Sequence, residues 1–195
     1  MTGKGIGAIG AVGPWVLAVV LSGCIVIPLP ESAVGKVPFA IPLRLGGGPA
    51  TAPAGPVPAP RCAPAAGTER FAAATLAAAN RQRAAQGLGP LRRVARLDVA
   101  AQDQACDIAA RQKVGHRGPD GRGLTRRVGD AGYGWSFVAE NTGLGDQPER
   151  AFDLWMASPG HRANLLNPRV TEAGFGLALA SGGQAGWGMV VAAPR

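Results

Sequence analysis

Ten of the seventeen prolines fall between Pro28 and Ala66, with Gly46-Gly47-Gly48 in their midst. Proline fixes φ and removes a backbone donor. A stretch with so few large apolar side chains buries too little to offset the entropy of ordering it. Residues 24–66 are therefore expected to form a disordered, semi-rigid tether. Its proline-rich part, 28–66, reaches at most roughly 120 Å when extended. Residues 67–195, the size of one domain, are left to form a fold.

The stretch before the tether reads as a targeting segment. Lys4 stands alone before an uncharged run from Gly5 to Pro30, whose apolar core, Trp15 to Leu21, ends in Leu21-Ser22-Gly23-Cys24. A basic start, a short apolar core and small residues make a secretory signal. The ending resembles a bacterial lipobox, in which cleavage precedes a cysteine that is then acylated. Residues 1–23 would then be a lipoprotein-type signal peptide and Cys24 the lipidated start of the mature chain. Two other readings stay open: a cleaved signal without lipid, and an uncleaved anchor, since Ile6 to Ile27 is long enough to span a bilayer. Glycines at positions 3, 5, 7, 10 and 13 weaken the anchor.

Past Thr68 the apolar residues become periodic. Phe71, Thr75 and Ala78 share one helical face, and Gly87 and Gly89-Pro90 stop that helix near Gln86. Leu97, Ala101, Ala105 and Ile108 form the stripe of a second helix, about Arg96 to Lys113. Pro119-Asp120-Gly121 marks a turn. A short helix spans Leu124 to Ala131, and a strand spans Ser136 to Leu144. Pro148 opens a helix that runs to Ala157, after which Pro159-Gly160 predicts a break onto a turn. Two strands close the chain, Thr171 to Ala180 and Gln184 to Ala192, joined by a Gly182-Gly183 hairpin signal. Helices first, then an antiparallel sheet with one helix inserted, is an α+β pattern.

The net charge of +8 comes mostly from arginines such as Arg92-Arg93 and Arg126-Arg127. No basic stripe with interleaved aromatics appears, so these predict a solvated surface and no nucleic-acid partner. Such a surface suits the anionic lipids and polymers of a cell envelope. The three cysteines are Cys24, Cys62 and Cys106. If Cys24 takes lipid, the other two are an even pair in an exported protein, which favours a bridge over two free thiols.

Only two histidines are present, His116 and His161, each just past a helix, and Glu140-Asn141 lies in the strand between them. Two imidazoles and a carboxylate suit zinc with an open fourth position. They serve equally as a hydrogen-bonded cluster without metal. Ser158 and His161 invite a nucleophile-and-base reading in which Glu140 orients His161, although no Gly-x-Ser-x-Gly elbow is present. Trp155 is expected in the core. Asn141 and Asn164 are expected on backbone groups, and Arg162 on a carboxylate.

The order Asn80-Arg81, Gly87-Leu88, Pro90-Leu91, Leu97, His116, Gly132-Tyr133, Glu140-Asn141, Trp155, Ser158-Pro159-Gly160-His161-Arg162 and Gly174-Phe175-Gly176 resembles the CAP superfamily in its bacterial, SCP-like branch. That superfamily includes cysteine-rich secretory, antigen 5 and pathogenesis-related proteins. The resemblance covers about Thr68 to Pro194. It implies an α-β-α sandwich with an antiparallel sheet between helical layers. It also implies a cavity of two histidines and two acids that holds a divalent metal in some members. His116, Glu140 and His161 match three of the four positions. The second acid is replaced by Ser158, with Glu172 or Asp153 as conceivable substitutes. The expected function is an envelope-attached binding module for lipid, glycan or protein, held at the membrane by its N-terminal lipid. The alternatives are a metal-dependent or Ser-His hydrolase, and a structural envelope protein with a decayed site.

Overall fold

The computed structural model describes residues 55–195. The expected signal peptide, Cys24 and the tether as far as residue 54 lie outside the described residues. The domain is built of five helices and four strands: α1 (Thr68–Ala85), β1 (Arg92–Arg93), α2 (Ala95–Arg111), α3 (Leu124–Asp130), β2 (Trp135–Gly145), α4 (Ala151–Ala157), α5 (Pro159–Leu165), β3 (Glu172–Leu179) and β4 (Ala185–Pro194).

The sheet order is β1-β3-β4-β2. The β2–β4 and β3–β4 pairs are antiparallel. β1 enters parallel to β3 over two residues, which makes the expected antiparallel sheet a mixed one. The backbone at β1 is held there by the Arg92 N–H on the Thr171 carbonyl and the Val94 N–H on the Ala173 carbonyl, each 2.9 Å. Gly182 and Gly183 turn β3 into β4 with φ of 69° and 76°, the left-handed region that glycine enters without cost.

Helices cover both faces. On one face Phe71, Trp155, Phe175, Trp187 and Met189 form the larger core between α1, α4 and the sheet. On the other, α2 and α3 pack through Leu97, Ala101, Val128 and Val190. Here alanine and glycine set the distance. A Cβ at Gly174 or Gly176 would strike the α2 backbone at Leu97–Asp98 or Ala101–Gln102. Neither glycine has a left-handed φ; the close approach of helix to strand is the constraint.

Four expectations are corrected. The apolar stripe of α1 runs through Phe71, Ala72, Thr75 and Ala79 and ends on Arg83, which is buried, whereas Ala78 is half-buried. Pro159-Gly160 does not throw the chain onto a turn: proline sits at the first position of α5, where its missing N–H is no loss. Residues 55–66 lack helix or strand, yet they lie on the domain as a strap. The Ala65 N–H donates to the Leu177 carbonyl (2.9 Å), and Arg61 pairs with Asp103, Asp107 and Asp120. The expected Cys62–Cys106 bridge is present and fastens the strap to α2, with Cα atoms 6.0 Å apart. Finally, the arginines are not all solvated surface, since Arg83 and Arg127 are each 1% exposed.

Candidate functional site

The loop after α2 carries His116, and three of its successive carbonyls are held from outside. Gln104 Nε2 donates to Gly115 (2.5 Å), Arg127 Nη1 to His116 (3.2 Å) and Arg111 Nη2 to Arg117 (2.9 Å). Further on, Gly121 turns the chain back, its N–H on the Gly118 carbonyl (3.0 Å). An exposed loop is thereby given one conformation at its histidine.

β2 supplies the centre. Glu140 faces the α2–α3 layer and its carboxylate is 1% exposed. Arg127 Nη2 donates to one oxygen at 2.5 Å, and the His116 Nδ1–H donates to the other at 3.0 Å. A carboxylate only accepts, so the neutral His116 ring carries its proton on Nδ1 and turns Nε2 outward. The hydrogen bond to Glu140 raises the His116 proton affinity above the ordinary imidazole value, against a smaller opposing effect of burial. Arg127 also donates to the Ala100 carbonyl on α2 (3.3 Å).

The next two β2 residues carry the helices that bear His161. Asn141 Nδ2 donates to the His161 carbonyl (3.1 Å), and Asn164 Nδ2 donates to Asn141 Oδ1 (2.9 Å) and to the Glu140 carbonyl (3.3 Å). Trp155, buried as expected, donates its indole N–H to the Thr142 carbonyl (3.2 Å). Burial lowers the His161 proton affinity below its ordinary value, and the neighbouring His116 lowers it further. The two imidazoles are driven in opposite directions.

Each sequence-derived role can be placed on this geometry. Glu140 contacts His116 and Arg127, leaving no Glu140–His161 bond to orient a base. Ser158 separates α4 from α5 in extended conformation, makes no side-chain cap bond, and offers its carbonyl to the Arg162 N–H (2.9 Å). Arg162 donates to the Met156 carbonyl (2.6 Å) instead of a carboxylate. Glu172 is buried against Arg92 and the Tyr133 hydroxyl (2.5 Å), and Asp153 is exposed on α4. Among the described residues, no group of three or more His, Cys, Asp or Glu side chains is arranged to hold a metal ion. Both Glu140 oxygens are engaged, so the donor set does not fit a three-ligand zinc site.

Arg127 is the site residue that sequence reasoning missed. It was legible in part: Leu124, Val128 and Ala131 mark the inner face of α3, and position 127 falls on that face. A polar side chain there needs a buried partner, and Glu140 is the available carboxylate.

A sequence profile of the CAP family, the cysteine-rich secretory protein family, matches residues 76–192. The uncharacterized protein YkwD of Bacillus subtilis is 32% identical over 98 residues, covering 50% of this chain and 38% of that protein. The chain therefore spans well under half of that relative. Among solved structures, an outer surface protein from Borrelia burgdorferi superposes with a TM-score of 0.61 at 16% identity, over 66% of this chain and 96% of that one. An extracellular protein containing an SCP domain from Bacillus anthracis gives a TM-score of 0.52 at 21% identity, over 61% and 39% of the two chains. At such identities these two establish the shared fold alone.

Proposed function

The chain belongs to the CAP family of cysteine-rich secretory proteins, and from that premise we propose that it is an exported binding module whose ligand, a lipid, glycan or protein of the cell envelope, meets the His116–His161 surface. The observation that carries this reading is how Glu140 is used. One of its oxygens holds the His116 ring and the other accepts from Arg127, so neither is left to orient a base, and Ser158 makes no side-chain cap bond. Arg127, Glu140 and His116 form a rigid chain of donors and acceptors ending at an outward imidazole nitrogen. That arrangement recognises a polar group; it does not activate a hydroxyl.

The export signal, lipidated Cys24 and tether belong to the same proposal. They are supported by the lipobox-like Leu21-Ser22-Gly23-Cys24, the bridged Cys62–Cys106 pair and the surface or extracellular character of the two structural relatives. Among the described residues no helix is long and apolar enough to cross a membrane. Mass spectrometry of the mature protein should find a diacylglyceryl group on Cys24, and Cys24→Ser should release the protein from membranes.

The site itself is tested with the purified chain and vesicles or envelope polymers. Binding should weaken in His116→Ala and His161→Ala and as salt rises. A competing reading, the Ser-His hydrolase, draws on the low proton affinity of His161, which keeps it neutral and able to act as a base. Peptidase or esterase turnover abolished by both Ser158→Ala and His161→Ala would establish that reading in place of ours. Neither binding nor turnover would leave the structural envelope role.

A further inference from the structure

Away from the histidines, a cavity of about 500 Å³ opens between the C-terminal turns of α2 and the end of β3. Ala109, Ala178 and Leu179 give it apolar walls, and Asp107 and both cysteines of the disulfide line it. Leu179 is 72% exposed, which leaves the entrance open. A disulfide is broken by a thiolate that can reach one of its sulfurs, so an exposed bridge is more labile than a sealed one. Here both cysteines are half-buried.

The inner side of the disulfide is equally specific. Gln102 lies one helical turn before Cys106, and its Nε2 is 3.6 Å from Cys106 Sγ and 3.7 Å from Cys62 Sγ. The Gln102 amide is itself fixed, donating to the Leu177 carbonyl (3.1 Å) and accepting from the Leu177 N–H (2.9 Å). A fixed N–H aimed at sulfur favours a departing thiolate. The Asp107 carboxylate, which would oppose one, has Arg61 of the strap 3.5 Å away.

We propose that Cys62–Cys106 is a thiol–disulfide exchange site, entered through this cavity by an external dithiol, whose reduction unlocks the strap 55–66 from the domain. The thiolate of the dithiol attacks Cys62 Sγ and forms a mixed disulfide while the Cys62–Cys106 bond breaks. Cys106 leaves as the thiolate beside Gln102 and takes a proton from water. The second thiol of the reductant then displaces Cys62, which also leaves as a thiol. The dithiol loses two electrons and two protons, and the protein gains them. Cys62 is the electrophile because it sits on a strap without secondary structure that can move with the mixed disulfide, whereas Cys106 is fixed in α2. Reduction removes only the covalent tie: the Arg61 ion pairs and the Ala65–Leu177 hydrogen bond keep the reduced strap near α2, so the reverse exchange with an oxidised dithiol, which takes the two electrons and two protons, re-forms the bridge.

The test uses the oxidised full chain at neutral pH, reduced by dithiothreitol or by an oxidoreductase carrying a Cys-x-x-Cys dithiol. Free thiols are trapped with a maleimide and counted by mass, while near-ultraviolet circular dichroism reports the fold. Reduction should proceed in the native protein at a rate that does not change with urea below the unfolding transition. Ala110→Trp and Ser181→Trp, both at the cavity lining, should each slow the protein reductant by about tenfold by blocking approach. A rate that climbs with urea along the slope of global unfolding, thiols that appear only as the fold is lost, or plugged variants reduced as fast as wild type would each overturn the proposal.

Discussion

Arg83 and Arg127 are equally buried, one on each side of the sheet, and they are neutralised in different ways. Arg83 sits among backbone carbonyls: it donates to Gly89 (2.8 Å), Leu165 (2.8 Å), Asn167 (3.0 Å) and Val170 (2.9 Å). Burial without a carboxylate lowers its proton affinity. Arg127 has Glu140 against it and reaches the site through that carboxylate. Each arginine supports one histidine. Arg83 ties down the end of α5, which bears His161, and Arg127 holds both the carbonyl and, through Glu140, the ring of His116. The first is a fixative, since no carboxylate carries its charge to a ring. The second is part of the site's electrostatics, because the charge it balances is the acceptor for an imidazole.

The largest expected effect breaks the fixative. Arg83→Met strips donors from four carbonyls, Gly89 in the turn after α1 and Leu165, Asn167 and Val170 at and after the end of α5, and it should cost on the order of 5 kcal/mol of folding stability in urea melts. Arg83→Lys should recover only part, because one ammonium cannot span the fork. No second substitution of a carboxylate can rescue it.

Arg127→Met should cost about 3 kcal/mol by leaving Glu140 buried without its counter-charge. Here rescue is possible: adding Glu140→Gln removes the stranded charge, so the double variant should be more stable than Arg127→Met alone. A double variant that merely adds the two single losses would show that the pair is not coupled and would erase the contrast with Arg83.

The imidazoles sharpen the comparison at smaller amplitude. In proton-detected titrations His116 should change charge above the ordinary imidazole range and His161 below it. Glu140→Gln should bring the His116 midpoint down. His116→Ala should raise that of His161 only partly, because burial is its larger cause. The stability consequences have opposite signs. The His116 contribution is full below the unfolded-state value of about 6.5 and is lost as pH rises through its raised folded value. For His161 the destabilisation appears as pH falls below about 6.5 and is complete below its lowered folded value. Because the two losses lie on opposite sides of about pH 6.5, the histidines together should give a shallow stability maximum near that pH, with stability falling on both the acid and the alkaline side.

The smallest effect concerns Ser158→Ala. With no side-chain cap bond at this position, the substitution should leave both stability and ligand binding within about 0.5 kcal/mol of wild type.

Much of this was written in the linear order of residues. The helical stripe Leu97, Ala101, Ala105, Ile108, the glycine pair at 182–183 and the strand around Phe137 follow from local periodicity and turn chemistry, and each falls where the sequence places it. The motif order singles out His116, Glu140 and His161, of which the structure joins His116 to Glu140 by a hydrogen bond. Local pattern could not assign partners. Whether Glu140 serves His116 or His161, and whether Arg127 is surface or core, depends on which faces of α3, β2 and α5 meet, and residues far apart in sequence are brought together only by the packed sheet. The strap shows the same limit. Composition read 55–66 as part of a disordered tether, and although the segment has no helix or strand it lies in place on the domain. The disulfide to α2 and the three carboxylates around Arg61 hold it in place, because a segment that cannot bury enough of its own surface can still be ordered by a surface already built.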